Sequence, residues 1–414
     1  MNYNVLLEGV CEMGFHLLGC GAEIFRVEDT IRRLAAAYGA EAEVFAIPNC
    51  LIISITDDEG KQLTRMRQAK ISGTNLNSLE AYNALSRKLC AAPPADPGEI
   101  LTQLKQVEAG LTPYPAWIIL LGDFFGAAFF TIFFSGGWLE AMVGGIAGVL
   151  AGGCSILLGR LRANFFINTM VSGFALALAA YGMYILGVPV YIEAAIVGAT
   201  MVLVPGLVFT NFMSDLLTGD IVAGLSTFAR AVLTAGAIAI GTGAAISLLQ
   251  RIAEIPVGVV PPLVHSPVLA CILAFVSCAG FCLTFNIRGK VGTLLCCLGG
   301  ALGWAVYLLV EHLGGGAAVS SLFASMVVAV YANAMARIRK CPVTPYLVVS
   351  YFPLVPGFTL YRAMSYGING NIQLFLETFI LTFSIGGCIA LGTLMVSTVM
   401  RAFQSGKGHR HATL

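Results

Sequence analysis

Charge is what this sequence has least of: 11% of its 414 residues are Asp, Glu, Lys or Arg, where a soluble globular chain carries roughly 25%. That shortage excludes a conventional water-soluble fold for the chain as a whole. Metal-site spacing is missing too, since the twelve cysteines include no C-x-x-C pair. Cys278 and Cys282, or Cys296 and Cys297, lie inside apolar runs, where Cys packs as a small apolar residue. A disulfide framework belongs to small, polar, secreted scaffolds. No Walker A, G-x-S-x-G or H-E-x-x-H pattern occurs, so nothing points to ATP drive or hydrolysis, and no metal or cofactor is expected. The net charge of +1 is a cancellation of an acidic front by a basic remainder, and that basic excess is too thin for a nucleic-acid surface. Residues 1–21 carry Glu8 and Glu12 without a basic flank, unlike a secretory signal, and are expected to stay in the cytoplasm.

What is present divides sharply. Before Tyr114 there are ten Lys/Arg against fourteen Asp/Glu, a net of −4 in an ordinary soluble pattern. Ile24, Val27, Ile31, Leu34 and Ala35 recur at helical spacing, so helices are expected over 4–20 and 23–38. Short strands follow at 43–47 and 51–56 around Pro48-Asn49, then a third at 61–67 after the turn signal Asp57-Asp58-Glu59-Gly60. Helices near 75–90 and 97–110 complete a small cytoplasmic α+β domain, assigned to residues 1–112. The stretch Arg26, Glu28, Asp29, Arg32, Arg33 reads first as a solvated face of close Glu/Arg pairs and second as a binding surface. Asp57, Asp58 and Glu59 read as turn residues before they read as a cation site.

From Ala116 onward, apolar runs of the length that crosses about 30 Å of hydrocarbon follow one another. Spans are placed near 116–134, 140–158, 165–186, 190–209, 221–248, 265–285, 291–311, 317–336, 343–360 and 374–399, about ten in all. With the N-terminal domain inside, Arg160, Arg162, Arg288, Lys290, Arg337, Arg339, Lys340, Arg401, Lys407 and Arg410 lie inside. Only Arg251 and Arg362 lie outside. That bias predicts a multi-pass protein with both termini cytoplasmic.

The chain repeats itself. A shift of 151 positions lays Leu203-Val-Pro-Gly206 on Leu354-Val-Pro-Gly357, and sixteen of the forty positions from 203 to 242 match, against roughly one in ten by chance. Each repeat, 113–250 and 251–414, holds five expected spans. An odd number turns the second copy upside down, and inverted repeats are the architecture of alternating-access carriers. Pro-Gly within a span frees backbone groups that lipid cannot satisfy, so such a break survives where it faces protein or water. Pro205, Gly206, Pro356 and Gly357 are therefore candidates for the substrate path, against the plainer reading of a kink or loop boundary. Thr210, Asn211 and Asp215 follow the first break, and Thr359, Tyr361 and Arg362 the second. Asp123, Arg230 and Glu377 are ionisable groups within spans, where charge is costly unless paired or hydrated. Either acid is a candidate proton carrier, and Arg230 a candidate partner for one of them or for a substrate carboxylate. Both acids lie within a turn or two of a span end, so snorkelling to water competes.

The block Gly21-Ala-Glu-Ile-Phe-Arg26-Val-Glu28-Asp29-Thr30-Ile31, with Arg33-Leu-Ala and Phe45-Ala-Ile-Pro48, resembles the N-terminal part of the threonine/serine exporter family. So does Leu203-Val-Pro-Gly206 with Thr210-Asn211, Asp215-Leu-Leu217 and Gly219-Asp220. Pro342, Phe352-Pro-Leu-Val-Pro-Gly357, Tyr361 and Met364 are similar to that family's second, smaller module, here fused to the first. The resemblance implies a bacterial cytoplasmic-membrane exporter of small metabolites such as L-threonine and L-serine, driven by the proton gradient. Two-chain relatives are linked with a dicarboxylate such as succinate, which stands as the alternative substrate class. The partners implied are the lipid bilayer and the small-molecule substrate, with no nucleic acid; a homo-oligomer is compatible with all of this. A rival of another class is a membrane-embedded enzyme using Asp123 or Glu377 as acid or base.

Overall fold

The computed structural model describes residues 1–68, 74–188, 190–204, 208, 212, 215–216, 219–252, 266–339 and 341–411. The front of the chain forms α1 (Tyr3–Gly19), α2 (Ile24–Ala37), β1 (Ala42–Ile47), β2 (Cys50–Thr56), β3 (Gln62–Gln68), α3 (Leu76–Ala91) and α4 (Gly98–Gly110). These follow the expected elements within a residue or two. The strands make an antiparallel meander in chain order, with Ile47 opposite Cys50 across Pro48-Asn49. Leu51, Ile53 and Ile55 on one face of β2 are fully buried and pack in one core with Ile31 and Leu34 of α2. The period-two pattern of the strand and the 3.6-residue pattern of the helix thus meet in a single interior.

Charged side chains of this domain hold local structure. Glu28 accepts from the Ala46 amide at 3.0 Å and pairs with Arg32 at 2.9 Å, while Arg32 donates to the Val44 carbonyl at 3.2 Å. The pair covers the open edge of β1, which otherwise invites further strand pairing. Asp57 accepts from the Glu59 and Lys61 amides at 3.0 and 2.8 Å, so this carboxylate closes the hairpin turn.

The rest is mostly helical and identifies a polytopic membrane protein. Among the described residues, eight helices are long and apolar enough to cross a bilayer: α5 (Ala116–Phe133), α6 (Trp138–Arg160), α7 (Phe165–Ile185), α9 (Ile221–Leu249), α10 (Pro267–Thr284), α11 (Lys290–His312), α12 (Ala317–Arg339) and the span Ile372–Met400 of α15. The last belongs to a helix that runs over Ile372–His411. The fourth and ninth expected spans, 190–209 and 343–360, are not continuous helices. In the first, α8 (Ile192–Thr200) ends in tight turns in which Met201, Val202 and Leu203 each donate three residues back. In the second, α13 (Thr344–Tyr351) is followed by a turn and then by α14 (Gly357–Ile368), with Pro356 as its N-cap. Proline lacks the amide that would carry a helix through, and each segment stops short of it.

Local structure recurs at the spacing of the sequence repeat. Helices α5 and α10 are both 18 residues long and start 151 positions apart. The non-glycine residues Ser135 and Asn286 both adopt positive φ, at 79° and 59°, and Gly219 and Gly370 do so at 95° and 77°. The turn after each first helix is closed alike: Gly136 donates to Thr131 and Ile287 to Cys282, both at 2.8 Å. Helices α5 and α10 cross where glycines let backbones touch: a Cβ on Gly280 would lie 2.4 Å from the Gly126 nitrogen and 2.8 Å from the Gly122 carbonyl oxygen.

The front domain docks on the loop after α10. Asn286, 5% exposed, donates to the Asn75 side chain at 3.0 Å and accepts from the Tyr114 amide at 3.1 Å. Leu76 donates to the Phe285 carbonyl at 3.1 Å, and Arg288 lies over the Tyr114 ring at 5.0 Å. Replacing Asn286 by Ala removes two hydrogen bonds, each worth about 1 kcal/mol. It also puts a Cβ-bearing residue without a local polar partner in the left-handed region, at roughly 1 kcal/mol. Faster proteolysis between α4 and α5 is the expected result, and unchanged cleavage would show that this loop does not anchor the domain.

Candidate functional site

The breaks bring the two halves of the chain together. Phe212 and Leu360, each following one Pro-Gly pair, are buried in one cluster with Ala231 and Ala235 of α9, joined by Phe228, Phe379 and Phe383. Phe212 lies 4.9 Å from Phe228 and 5.7 Å from Phe383, ring centre to ring centre. Phe228 and Phe379 occupy corresponding positions of the sequence repeat, so the centre of this cluster is built from both copies. Pro205, Gly206, Thr210 and Asn211 lie outside the described residues.

Polar groups flank this apolar centre along α9 and α15. Tyr361 on α14 lies 3.3 Å from the Thr242 hydroxyl of α9, and Tyr351 at the end of α13 lies 2.7 Å from the Thr393 hydroxyl of α15. Thr242 and Thr393 correspond in the repeat, and each meets a tyrosine beside a broken helix. Arg362 projects toward Phe358 and Tyr366, 5.5 and 5.4 Å from the ring centres, and hydrogen-bonds the Tyr366 hydroxyl. Glu193, in the first turn of α8, is within electrostatic reach of Arg362. Thr359 turns back to the Pro356 carbonyl at 2.8 Å, as an N-terminal helix hydroxyl commonly does.

Toward the docked domain the site is acidic. Asp215 is 7% exposed, with Glu23 of the front domain and Asp220 as its acidic neighbours. It lies outside the long helices. Burial first, then those two carboxylates, pushes its pKa up to about 7. Glu23 is held by Arg26 at 2.7 Å and also lies within electrostatic reach of Tyr351. The front domain therefore reaches the end of the Tyr351–Thr393 pair.

The three charges expected within spans are apart. Asp123 is 2% exposed, accepts from the Thr284 hydroxyl at 2.9 Å and is walled by Gly152, where a Cβ would come 2.1 Å from its Oδ2. It joins α5, α6 and α10 rather than meeting Arg230. Arg230 is half-buried and lies 5.8 Å from the Phe165 ring centre. Glu377 is exposed and accepts from Gln373 one turn earlier at 3.0 Å. Among the described residues, none of the three is ion-paired with another.

Sequence reasoning passed over Thr242, Thr284, Glu193 and Glu23 as parts of this arrangement. Thr242 had a signal, since it matches Thr393 in the repeat. Glu23 had none, because its position depends on how a separate domain docks.

A front domain followed by apolar helices, two of them interrupted at matched positions, defines a polytopic membrane protein of the transporter type. The threonine/serine exporter family model matches residues 8–249, and a second model, described as threonine/serine exporter, matches residues 270–399. The chain belongs to the threonine/serine exporter family. It is 24% identical over 340 residues to the threonine/serine exporter of Corynebacterium glutamicum, covering 79% of this chain and 68% of that one. It is 20% identical over 401 residues to a protein of Mycobacterium tuberculosis named a probable threonine/serine exporter, covering 92% and 74%. It is also 28% identical over 249 residues to a protein of Klebsiella aerogenes named a probable succinate transporter subunit, covering 57% of this chain and 91% of that one. No solved structure matches the chain.

Proposed function

We propose that the protein is a secondary transporter of a bacterial cytoplasmic membrane that exports small hydrophilic metabolites, L-threonine and L-serine first among them. Proton-coupled alternating access between two inverted five-helix halves is the mechanism. The observation that carries this reading is the matched interruption of α8 and of α13–α14, at the same place in two copies that share turns, positive-φ positions and helix lengths. Five crossings per copy invert the second relative to the first, with both termini on the cytoplasmic side. Broken helices then supply unpaired backbone groups to a zwitterionic substrate from opposite faces. Asp215 and Asn211 serve the inner mouth, Tyr361 and Arg362 the outer. An acid half-protonated near neutrality can take up and release a proton within one cycle.

A dicarboxylate is the second reading, favoured by the relative named a probable succinate transporter subunit, which matches along 91% of its length. An acid–base enzyme built on Asp123 fits less well, since that carboxylate is enclosed by Thr284 and Gly152. Inverted vesicles offered labelled threonine, serine or succinate, with and without an imposed proton gradient, separate these readings. Gradient-stimulated accumulation of threonine and serine is expected. Accumulation of succinate alone moves the assignment to the second reading, and no accumulation of any of the three removes both.

A further inference from the structure

A cavity of about 970 Å³ lies away from the apolar centre, between the front domain and the membrane helices. None of the proposed path residues lines it. Its wall carries four arginines from three elements: Arg26 and Arg33 from α2, Arg87 from α3 and Arg337 from α12. Arg26 and Arg33 are two helical turns apart on one face of α2. Each is held by a nearby carboxylate, the N-cap residue Glu23 at 2.7 Å and Asp29 of α2 at 2.9 Å. Arg87 leans on the Asn83 carbonyl at 3.4 Å and has no carboxylate partner among the described residues. Arg337, exposed in the last turn of α12, has none either. Two guanidinium charges of the wall are therefore uncompensated, and the two paired ones keep spare N–H groups, since a carboxylate engages at most two of a guanidinium's five donors. Asn83, Ser86 and Asn333 add neutral hydrogen-bonding groups.

Two uncompensated guanidiniums in a pocket with neutral donors match a doubly charged anion, and planar N–H forks match phosphate oxygens. The chain invests four arginines where a solvated helix face needs none. We propose that this cavity binds a phosphate dianion and thereby clamps the front domain to the membrane helices. The phosphate is carried either on a lipid head group at the membrane surface or on a soluble molecule. Bound there, it bridges α2 and α3 on one side to α12 on the other, and compensates the charges of Arg87 and Arg337.

The test uses the full-length purified protein and reads its unfolding midpoint. Inorganic phosphate in detergent probes a soluble source, with chloride at matched ionic strength as control. Nanodiscs of phosphatidylcholine with or without phosphatidate probe a lipid source. One of the two phosphates is expected to raise the midpoint well beyond its control. Arg337→Gln and Arg87→Gln are each expected to weaken that protection about tenfold or more in ligand concentration, the loss of one charged hydrogen-bond donor, while Arg337→Lys retains part of it. Arg337 is exposed, so its variants keep the fold. No protection beyond chloride and phosphatidylcholine overturns the site, as does protection that both glutamine variants retain in full. Equal protection by succinate that Arg337→Gln and Arg87→Gln also weaken overturns the phosphate assignment.

Discussion

A valine at position 280 leaves little folded protein, and alanine there lowers the unfolding midpoint measurably. The three nearest atoms to a Cβ at Gly280 are the Gly126 nitrogen at 2.4 Å and the Gly122 oxygen and Gly126 Cα at 2.8 Å. All are backbone, so no side chain can rotate away and the helices must part by about 1 Å to reach ordinary contact. Overpacking by one methyl typically costs about 1–3 kcal/mol, and the two further carbons of valine cost more. The loss spreads, because the same crossing holds the Thr284–Asp123 hydrogen bond at 2.9 Å and the Phe130–Phe281 ring pair at 5.6 Å. Gly236 supplies the opposite sign. It is also inside a long helix, but a Cβ there meets nothing within 4 Å. Alanine at 236 gains helix propensity, up to about 1 kcal/mol. Fluorescence-detected size exclusion after a heating series measures both, and equal midpoints for Gly280→Ala and Gly236→Ala would dismiss the crossing as the weak point.

Most of this fold is readable from residues because its elements are specified locally. The apolar stripe of α2 and the alternation in β2 each point one face inward, and eight apolar runs became long helices at their expected places. The fourth and ninth runs mislead because hydropathy measures a segment's affinity for lipid, not the continuity of its hydrogen bonds. The Pro-Gly pairs within them were visible, and Pro356 is the N-cap from which α14 starts. The site was legible only where the repeat marked it. Tyr361 and Thr242 are 119 positions apart, and a hydrogen bond at that separation follows from packing alone. Asp123 could be recognised as a costly intramembrane acid, but its use as a joint to Thr284 could not. Glu377, written into an apolar run, lies on an exposed face of its helix and accepts from Gln373, a contact that hydropathy does not foretell.

Replacing Asp215 by Asn is expected to remove the proton dependence of transport while leaving the protein folded. Asp215 is 7% exposed, with Glu23 and Asp220 as its acidic neighbours, Glu23 itself being held by Arg26. Burial and those two carboxylates bring its pKa up to about 7, from an ordinary value near 4. Between those values the folded protein keeps a proton that the unfolded chain releases. Stability therefore falls as pH rises from about 4 to about 7, by at most about 1.4 kcal/mol per pH unit, and levels off above. Asn cannot titrate, so this contribution to the slope is absent from the variant, which gains on the wild type as pH approaches about 8. The same argument fixes the transport result. A carboxyl that changes charge near neutrality can alternate between a neutral form in a closed site and an anion at an open mouth; an amide holds one state throughout. In inverted vesicles the stimulation by an imposed gradient should fall to about one in Asp215→Asn, with exchange of substrate down its own gradient retained. Full gradient stimulation in the variant would move the proton to another carboxyl. Among the described residues Glu193 of α8 is then the next to test, because it lies within electrostatic reach of Arg362 on α14.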